Sequence, residues 1–288
     1  MASTVELVGD EVKIPVPEAL TNFANTIFSF YQNQEMIDAY LLIGGKKIGI
    51  HKPILCAASD FFEKEFEDSN KNEVEIKGCS YDDGLKIIEF IYTGKFDLNN
   101  EKVENLIPIV ADLKLIYGIE LFGNILSNYI RPENCSKYRM LAQKYNMSDL
   151  LKSTTVYLQE YMDVVAENDP EFVNMPEDDL NSFIEDDEVK VVEVKIYSSL
   201  VIWLKHDLSR KEKAEKLVEH IRYINIPKAF MEEQKKDAFV QSCPGLLSLV
   251  NEALEWYDKP NDYKRKYKNS HTYYRHYERL PENDDDLD

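Results

Sequence analysis

Four cysteines, Cys56, Cys79, Cys135 and Cys243, are the first residues whose type could do chemistry. A thiolate is a nucleophile and a metal ligand, and paired thiols close disulfides or hold zinc. These four are far apart and no two form a Cys-x-x-Cys pair, which argues against a disulfide framework or a zinc ribbon. Cys56 sits on the apolar face of an ILCAAS segment and is expected in a core rather than as a reactive thiol. His271 and His276 are five apart, which places them on different helical faces and makes them poor metal co-ligands. Gly44-Gly45 is the one glycine doublet, and it lacks the spaced glycines and lysine of a phosphate cradle. The many carboxylates cluster in polar runs, where solvated faces are the default. No nucleophile elbow or redox pair is present. The residues therefore assign no catalytic group, no metal ligand and no cofactor, and the expectation is a protein that is not an enzyme.

Composition narrows the classes further. The 288 residues suggest about two domains and carry 34 Lys+Arg against 53 Asp+Glu, a net charge of −19. Such a chain repels phosphate backbones, so no nucleic-acid partner is expected. With 10 Gly and 11 Pro, breakers are scarce, which favours long regular elements. The first residues lack a basic segment followed by an apolar core, and no apolar run approaches the length of a membrane span. An intracellular reducing compartment, cytoplasmic or nuclear, is the expectation, with no membrane partner.

The elements that would position any site follow from periodicity. Residues 5–8 and 11–14 flank Gly9-Asp10 and read as a small hairpin within an N-terminal extension, 1–16. Leu20, Phe23, Ile27 and Tyr31 then recur at helical spacing, with Ala24 and Phe28 beside them. Residues 38–43 and 46–50 around Gly44-Gly45 give a strand–turn–strand signal, 51–66 reads as helical, and 73–77 alternates as a third strand. Three helical segments follow at 81–92, 101–115 and 118–130, separated at Thr93-Gly94 and Tyr117-Gly118. Residues 17–131 are thus expected to form an α+β domain with a small sheet.

Pro132 marks a boundary, and 132–257 shows almost only helical periodicity. Helices are expected at 134–145, 147–165, 169–174, 177–185, 190–207, 210–221, 227–239 and 244–257. Pro170, Pro176, Pro227 and Pro244 lie near their starts, where a missing N–H costs little. Residues 258–288 form an expected flexible charged tail, basic and tyrosine-rich and then acidic.

Three motifs in order carry a resemblance. DAYLLIGGKKIGIHKPILCAASDFFEKEF (38–66) resembles the centre of a BTB (POZ) domain, with Asp38, His51, Leu55, Ser59, Phe61 and Phe62 at the family's positions. IIEFIYTGKF (87–96) resembles that family's helix-to-strand signature through Tyr92, Thr93 and Gly94. VIWLKHDLSRKEKAEKLVEHIRY (201–223) resembles the BACK signature through Trp203, His206-Asp207, Arg210, Leu217 and Ile221-Arg222, and NCSKYRMLAQKYNMSDLL (134–151) fits the start of BACK. The chain is similar to BTB–BACK proteins of the kelch-like class over about residues 17–257. The implied fold is an α+β BTB/POZ domain followed by an all-α BACK helical domain.

The resemblance implies a protein that forms a homodimer through BTB, binds the N-terminal region of cullin-3 and adapts a substrate protein, here unknown, to an E3 ubiquitin ligase. It places Leu20, Phe23, Ile27 and Phe28 at the dimer interface, where a self-complementary twofold patch is the common solution. It makes Phe66, Glu73, Tyr92 and Tyr117 candidates for the cullin-facing groove. Tyr138, Met140 and Leu141, in the first BACK helices, would add contact to the cullin's N-terminal arm. For each of these residues, packing within its own domain is the competing reading. Trp203 is expected in the BACK core.

One position departs from the pattern. Members that bind cullin-3 often show a hydrophobic residue two before a glutamate, after the helix ending at Phe66. Here Glu73 is preceded at that spacing by Lys71. A hydrated ammonium in place of an apolar side chain forfeits on the order of 1.5–3 kcal/mol of burial. The departure keeps open a second reading, a BTB–BACK interaction scaffold in transcription or cytoskeletal organisation that does not bind cullin-3. Kelch-like proteins usually carry a C-terminal propeller; one blade needs roughly 50 residues, so none is expected in the stretch after 257.

Charge is expected to be local. Residues 167–188 hold ten acids with no Lys or Arg, and 282–288 hold five more. The first stretch reads as an acidic BACK surface. The basic residues Lys264, Arg265, Lys266, Lys268, Arg275 and Arg279 alternate with tyrosines, a composition seen in RNA contacts. A charged linker is the expected reading, with the acidic end competing for the same cations.

Overall fold

A computed structural model describes residues 6–8, 11–13, 18–68, 70–97, 100–115 and 117–258. Two compact units divide after Tyr129, with 145–149 grouping with the first. The expected tail, 258–288, lies outside the described residues apart from Asp258, as does the Gly9-Asp10 turn.

In the first unit, β1 (Glu6–Val8) pairs antiparallel with β2 (Glu11–Lys13). Helix α1 (Glu18–Gln32) leads to β3 (Ala39–Ile43) and β4 (Lys46–Ile50). The two strands are antiparallel and joined at Gly44-Gly45, with Leu41 opposite Ile48. Helices α2 (Lys52–Ala58) and α3 (Asp60–Glu65) precede β5 (Glu73–Ile76), which pairs parallel with β3 to give the order β4-β3-β5. Helix α4 (Tyr81–Thr93) follows. It stops at Gly94, whose φ of 65° is a left-handed conformation that glycine adopts without strain. Strand β6 (Phe96–Asp97) pairs with β2, completing a second sheet. Helices α5 (Asn100–Asp112) and α6 (Gly118–Ser127) close the unit.

The run 51–66, expected as one helix, breaks at Ser59. Its φ and ψ of −155° and 121° are extended. Its Oγ accepts the Phe62 N–H at 3.2 Å and donates to the Leu113 carbonyl, while the backbone forms a bridge with Leu115. One hydroxyl thus caps α3 and ties the break to the end of α5. Helical periodicity persists across the break because Leu55 and Phe62 both face the core.

The second unit contains α7 (Cys135–Tyr145), α8 (Ser148–Asn168), α9 (Glu177–Glu185) and α10 (Glu193–His206). It continues with α11 (Ala214–Val218), α12 (Lys228–Gln234), α13 (Ala238–Gln241) and α14 (Pro244–Asp258). Its architecture is all-α, and the core includes Leu158, Phe172, Trp203, Leu204, Leu217 and Leu246. Three expected helices come out differently. The segment 169–174 shrinks to a single 3₁₀ turn, Phe172–Asn174. The segment 210–221 becomes a 3₁₀ stretch, Leu208–Lys213, followed by α11. The segment 227–239 divides because Asp237 turns extended and its carboxylate caps Phe239 and Val240 to start α13. Helix α8 kinks at Tyr161. The carbonyl of Gln159, two residues before, accepts the Lys190 N–H at 2.7 Å.

Candidate protein-interaction site

Helix α1 presents a broad apolar arc. At 100° per residue, Leu20, Phe23, Ala24, Ile27, Phe28 and Tyr31 cover about 140° of its circumference. The arc divides. On one side Phe28 and Tyr31 face inward, where Tyr31 stacks on Tyr92 of α4 at 4.8 Å and on Phe28 at 5.8 Å. On the other, Leu20 and Phe23 are 54% and 61% exposed, and Ile27 is half-buried between the two. Leu20, Phe23 and Ile27 thus present an apolar stripe to solvent, while Phe28 is largely committed to its own domain.

His51 fixes the approach to this helix. Its Nε2 lies 2.9 Å from the Glu35 carbonyl, which can only accept, so Nε2 carries the proton. Nδ1 then accepts from the Tyr92 hydroxyl at 2.8 Å, and the Tyr92 oxygen accepts the His51 N–H at 3.0 Å. Burial pushes the Tyr92 phenol up to about 12, so it remains a donor at any ordinary pH.

Burial sorts the residues proposed for cullin contact. Tyr92 is 5% exposed, Phe66 is buried against Phe62, and Tyr138 is fully enclosed. These three are corrected from surface candidates to packing residues. Their large rings bury more apolar area than a rim position allows. Tyr117, next to the start of α6, is 73% exposed. Met140 and Leu141 are half-buried on α7. Glu73 is on the surface and pairs with Lys47 at 2.5 Å, and that ammonium also lies 4.2 Å from the Tyr40 ring centroid. This Tyr40–Lys47–Glu73 row, one residue from each strand, was missed by sequence reading. Strand register could have found it, because Tyr40 is directly opposite Glu73. Lys71 is exposed and ion-paired with Glu65.

The acidic stretch 167–188 is less free than its composition suggests. Glu167, Glu177, Asp178 and Asp187 pair with Lys195, Lys213, Lys216 and Arg222. Asp179 takes a two-pronged contact from Arg139, at 2.7 and 2.5 Å, with both side chains about nine-tenths buried. Asp169 is buried and accepts the backbone N–H groups of Ser136 and Glu171. Trp203 lies in the core, donating Nε1–H to the Met175 carbonyl under the Arg210 guanidinium, 4.0 Å from its ring.

The thiols are poorly placed for nucleophilic chemistry. Burial pushes Cys56 and Cys79 up and Cys135 up to about 12, which keeps them protonated. Among the described residues no group of His, Cys, Asp and Glu could hold a metal, and no helix is long and apolar enough to cross a membrane.

Comparison with known proteins agrees with this division of the chain. A family model described as BTB/POZ domain matches residues 27–128, and one described as BTB And C-terminal Kelch (BACK) matches 135–236. Mouse kelch-like protein 1 is 25% identical over 81% of this chain, and human kelch-like protein 5 is 24% identical over 81%. Zebrafish kelch-like protein 26 is 27% identical over 66%. The chain spans about a third of the length of these relatives, 31–32%. Among solved structures, the BTB domain of human gigaxonin is 22% identical, covering 39% of this chain and 95% of that one, with a TM-score of 0.35. The BTB domain of zebrafish PATZ1 is also 22% identical, covering 40% and 98%, with a TM-score of 0.36. With an α+β BTB/POZ domain followed by a helical BACK domain, the chain belongs to the kelch-like BTB–BACK family.

Proposed function

We propose that the protein is a non-enzymatic, dimeric adaptor that bridges a cullin-3 E3 ubiquitin ligase to a substrate protein. The observation that carries this reading is the exposure of Leu20 and Phe23 on a helix whose other apolar side is already packed. A twofold copy of the same face would bury both sets of side chains. Tyr117 and Glu73 supply exposed aromatic and acidic contacts for the cullin's N-terminal region, with the half-buried Met140 and Leu141 midway along α7. Two protomers would hold two ligase arms on one assembly and raise their effective concentration. The bounds 17–131 for BTB and 132–257 for BACK belong to this reading.

Lys71 favours a second reading, an interaction scaffold that does not engage cullin-3. Its ammonium is exposed and already paired with Glu65. Calorimetric titration of a cullin-3 N-terminal fragment separates the two. A saturable heat that weakens when Tyr117 is replaced by alanine supports the adaptor, and no complex at tens of micromolar overturns it. Light scattering tests the dimer independently. The intact chain should have twice its monomer mass, and Phe23→Glu with Ile27→Glu should return the monomer mass; a monomeric parent refutes the interface.

A further inference from the structure

Within the helical unit, α11 and α14 enclose a groove of about 360 Å³. It exists because α14 begins almost in contact with α11. A Cβ on Gly245 would stand 2.5 Å from the Glu215 nitrogen, so only glycine allows this approach. The floor is apolar, formed by Val218 and Leu249, and the rim carries Glu215, Glu219 and Glu252. Many other carboxylates of the unit are already paired. Glu160, Glu167, Glu177, Asp178, Asp179, Asp187, Asp237 and Asp258 all have a Lys or Arg partner. Across the described residues no Lys or Arg forms an ion pair with the three at the groove; Glu252 instead lies 3.3 Å from the Tyr223 hydroxyl.

We propose that the groove is the docking site for this chain's own basic segment, Lys264–Lys268, with Tyr263 or Tyr267 on the apolar floor. Four of those five residues are Lys or Arg, and tyrosines flank and interrupt them. The charge is complementary to the rim, and the apolar body with polar tip of tyrosine suits an apolar floor with a wet margin. Reach is sufficient. Glu252 lies about 9 Å from Asp258 along α14, at 1.5 Å per residue. The five residues 259–263 can span about 17 Å when extended. The acidic end, 282–288, carries five acids and is the rival for the same cations.

Zero-length carbodiimide coupling of lysine to carboxylate on the intact chain tests this. Cross-links from Lys264, Lys266 or Lys268 to Glu215, Glu219 or Glu252, within one chain, are expected. Mixing isotopically light and heavy protein separates links within a chain from links between copies. Links only to 282–288, or only between copies, overturn the proposal. Trypsin gives a second readout, first on the parent chain and then on a variant. Cleavage at 264–268 should accelerate about fivefold between low and 0.5 M salt, and equally in Glu215→Lys/Glu219→Lys at low salt, as screened surface ion pairs are lost. Cleavage that ignores both salt and the substitutions also overturns it.

Discussion

The two units hold their elements together by different chemistry. The N-terminal BTB unit uses neutral hydrogen bonds at its joints. Ser59 links α3 to the end of α5, and His51 links Tyr92 of α4 to the turn after α1. Its described ion pairs, Lys47–Glu73, Lys71–Glu65 and Lys86–Asp83, have side chains at least 30% exposed. The BACK unit buries charge. Arg139 crosses from α7 to Asp179 of α9 and rests on the Phe183 ring at 4.7 Å, and Arg222 donates to the Glu185 carbonyl and to Asp187. A sheet aligns neighbouring strands through its own backbone, whereas helices satisfy their hydrogen bonds internally and need side chains to fix their mutual angles. Charge pairs supply that direction in BACK, and the cost is sensitivity to losing one partner.

The largest expected effect tests that sensitivity. Arg139→Met leaves the Asp179 carboxylate buried without its cation, which should destabilise the BACK unit by about 3–5 kcal/mol. Adding Asp179→Leu should recover most of the loss, because two apolar groups replace a pair instead of orphaning one charge. Both tryptophans, Trp203 and Trp256, lie in this unit, so denaturant unfolding followed by tryptophan fluorescence reports on it specifically. Equal instability of the single and double variants would refute the charge-pair account.

The BTB unit offers the neutral counterpart. Tyr92→Phe keeps the ring stack with Tyr31 but removes the hydroxyl that joins the His51 N–H and Nδ1. Two buried polar atoms lose a partner, and a cost of about 2 kcal/mol is expected. Hydrogen exchange at the His51 amide should rise about 30-fold, which is that energy converted at 1.4 kcal/mol per decade. Peptides from α10 should be unaffected. Faster exchange in both units would break the comparison.

Much of this was legible in the chain, for physical reasons that also set the limits. Leu41, Ile43, Val74 and Ile76 alternate because one face of the sheet is buried, and that alternation is visible in sequence. Gly94 announced the end of α4, since a left-handed residue there favours glycine. The break at Ser59 was hidden, because the apolar pattern runs through it and only the tertiary partner Leu113 explains it. Among the candidate contacts, Tyr92 and Tyr117 are the same residue type, yet one is 5% and the other 73% exposed. Residue type cannot distinguish a packing ring from a contact ring; the tertiary partners Phe28, Tyr31 and His51 that enclose Tyr92 do. The ten acids of 167–188 misled for a related reason: their cations come from residues up to 40 positions away, such as Arg139 for Asp179.

The smallest effect concerns pH, and it takes opposite signs at two carboxylates of the BACK unit. Asp237 caps α13, and the backbone N–H of Val240 is the main influence holding its carboxyl below the usual range, with that of Phe239 and the Lys205 ammonium adding to it. A depressed folded-state value means stabilisation that is complete above the unfolded carboxylate value, about 3.9, and is lost as pH falls through the lower folded one. Asp169 acts the other way. Burial chiefly raises it, so the folded state takes up its proton at higher pH than the unfolded chain, and acidification relieves a penalty. Asp237→Asn keeps a capping oxygen but removes the titration. It should cost about 0.5–1 kcal/mol at neutral pH, toward the low end because the side chain is a third exposed and screened. Against the parent, that difference should shrink toward zero between pH 4 and pH 2 in tryptophan-monitored unfolding. A difference that stays constant across that range would mean that the loss comes from the amide's poorer fit at the cap, with the carboxylate charge counting for nothing.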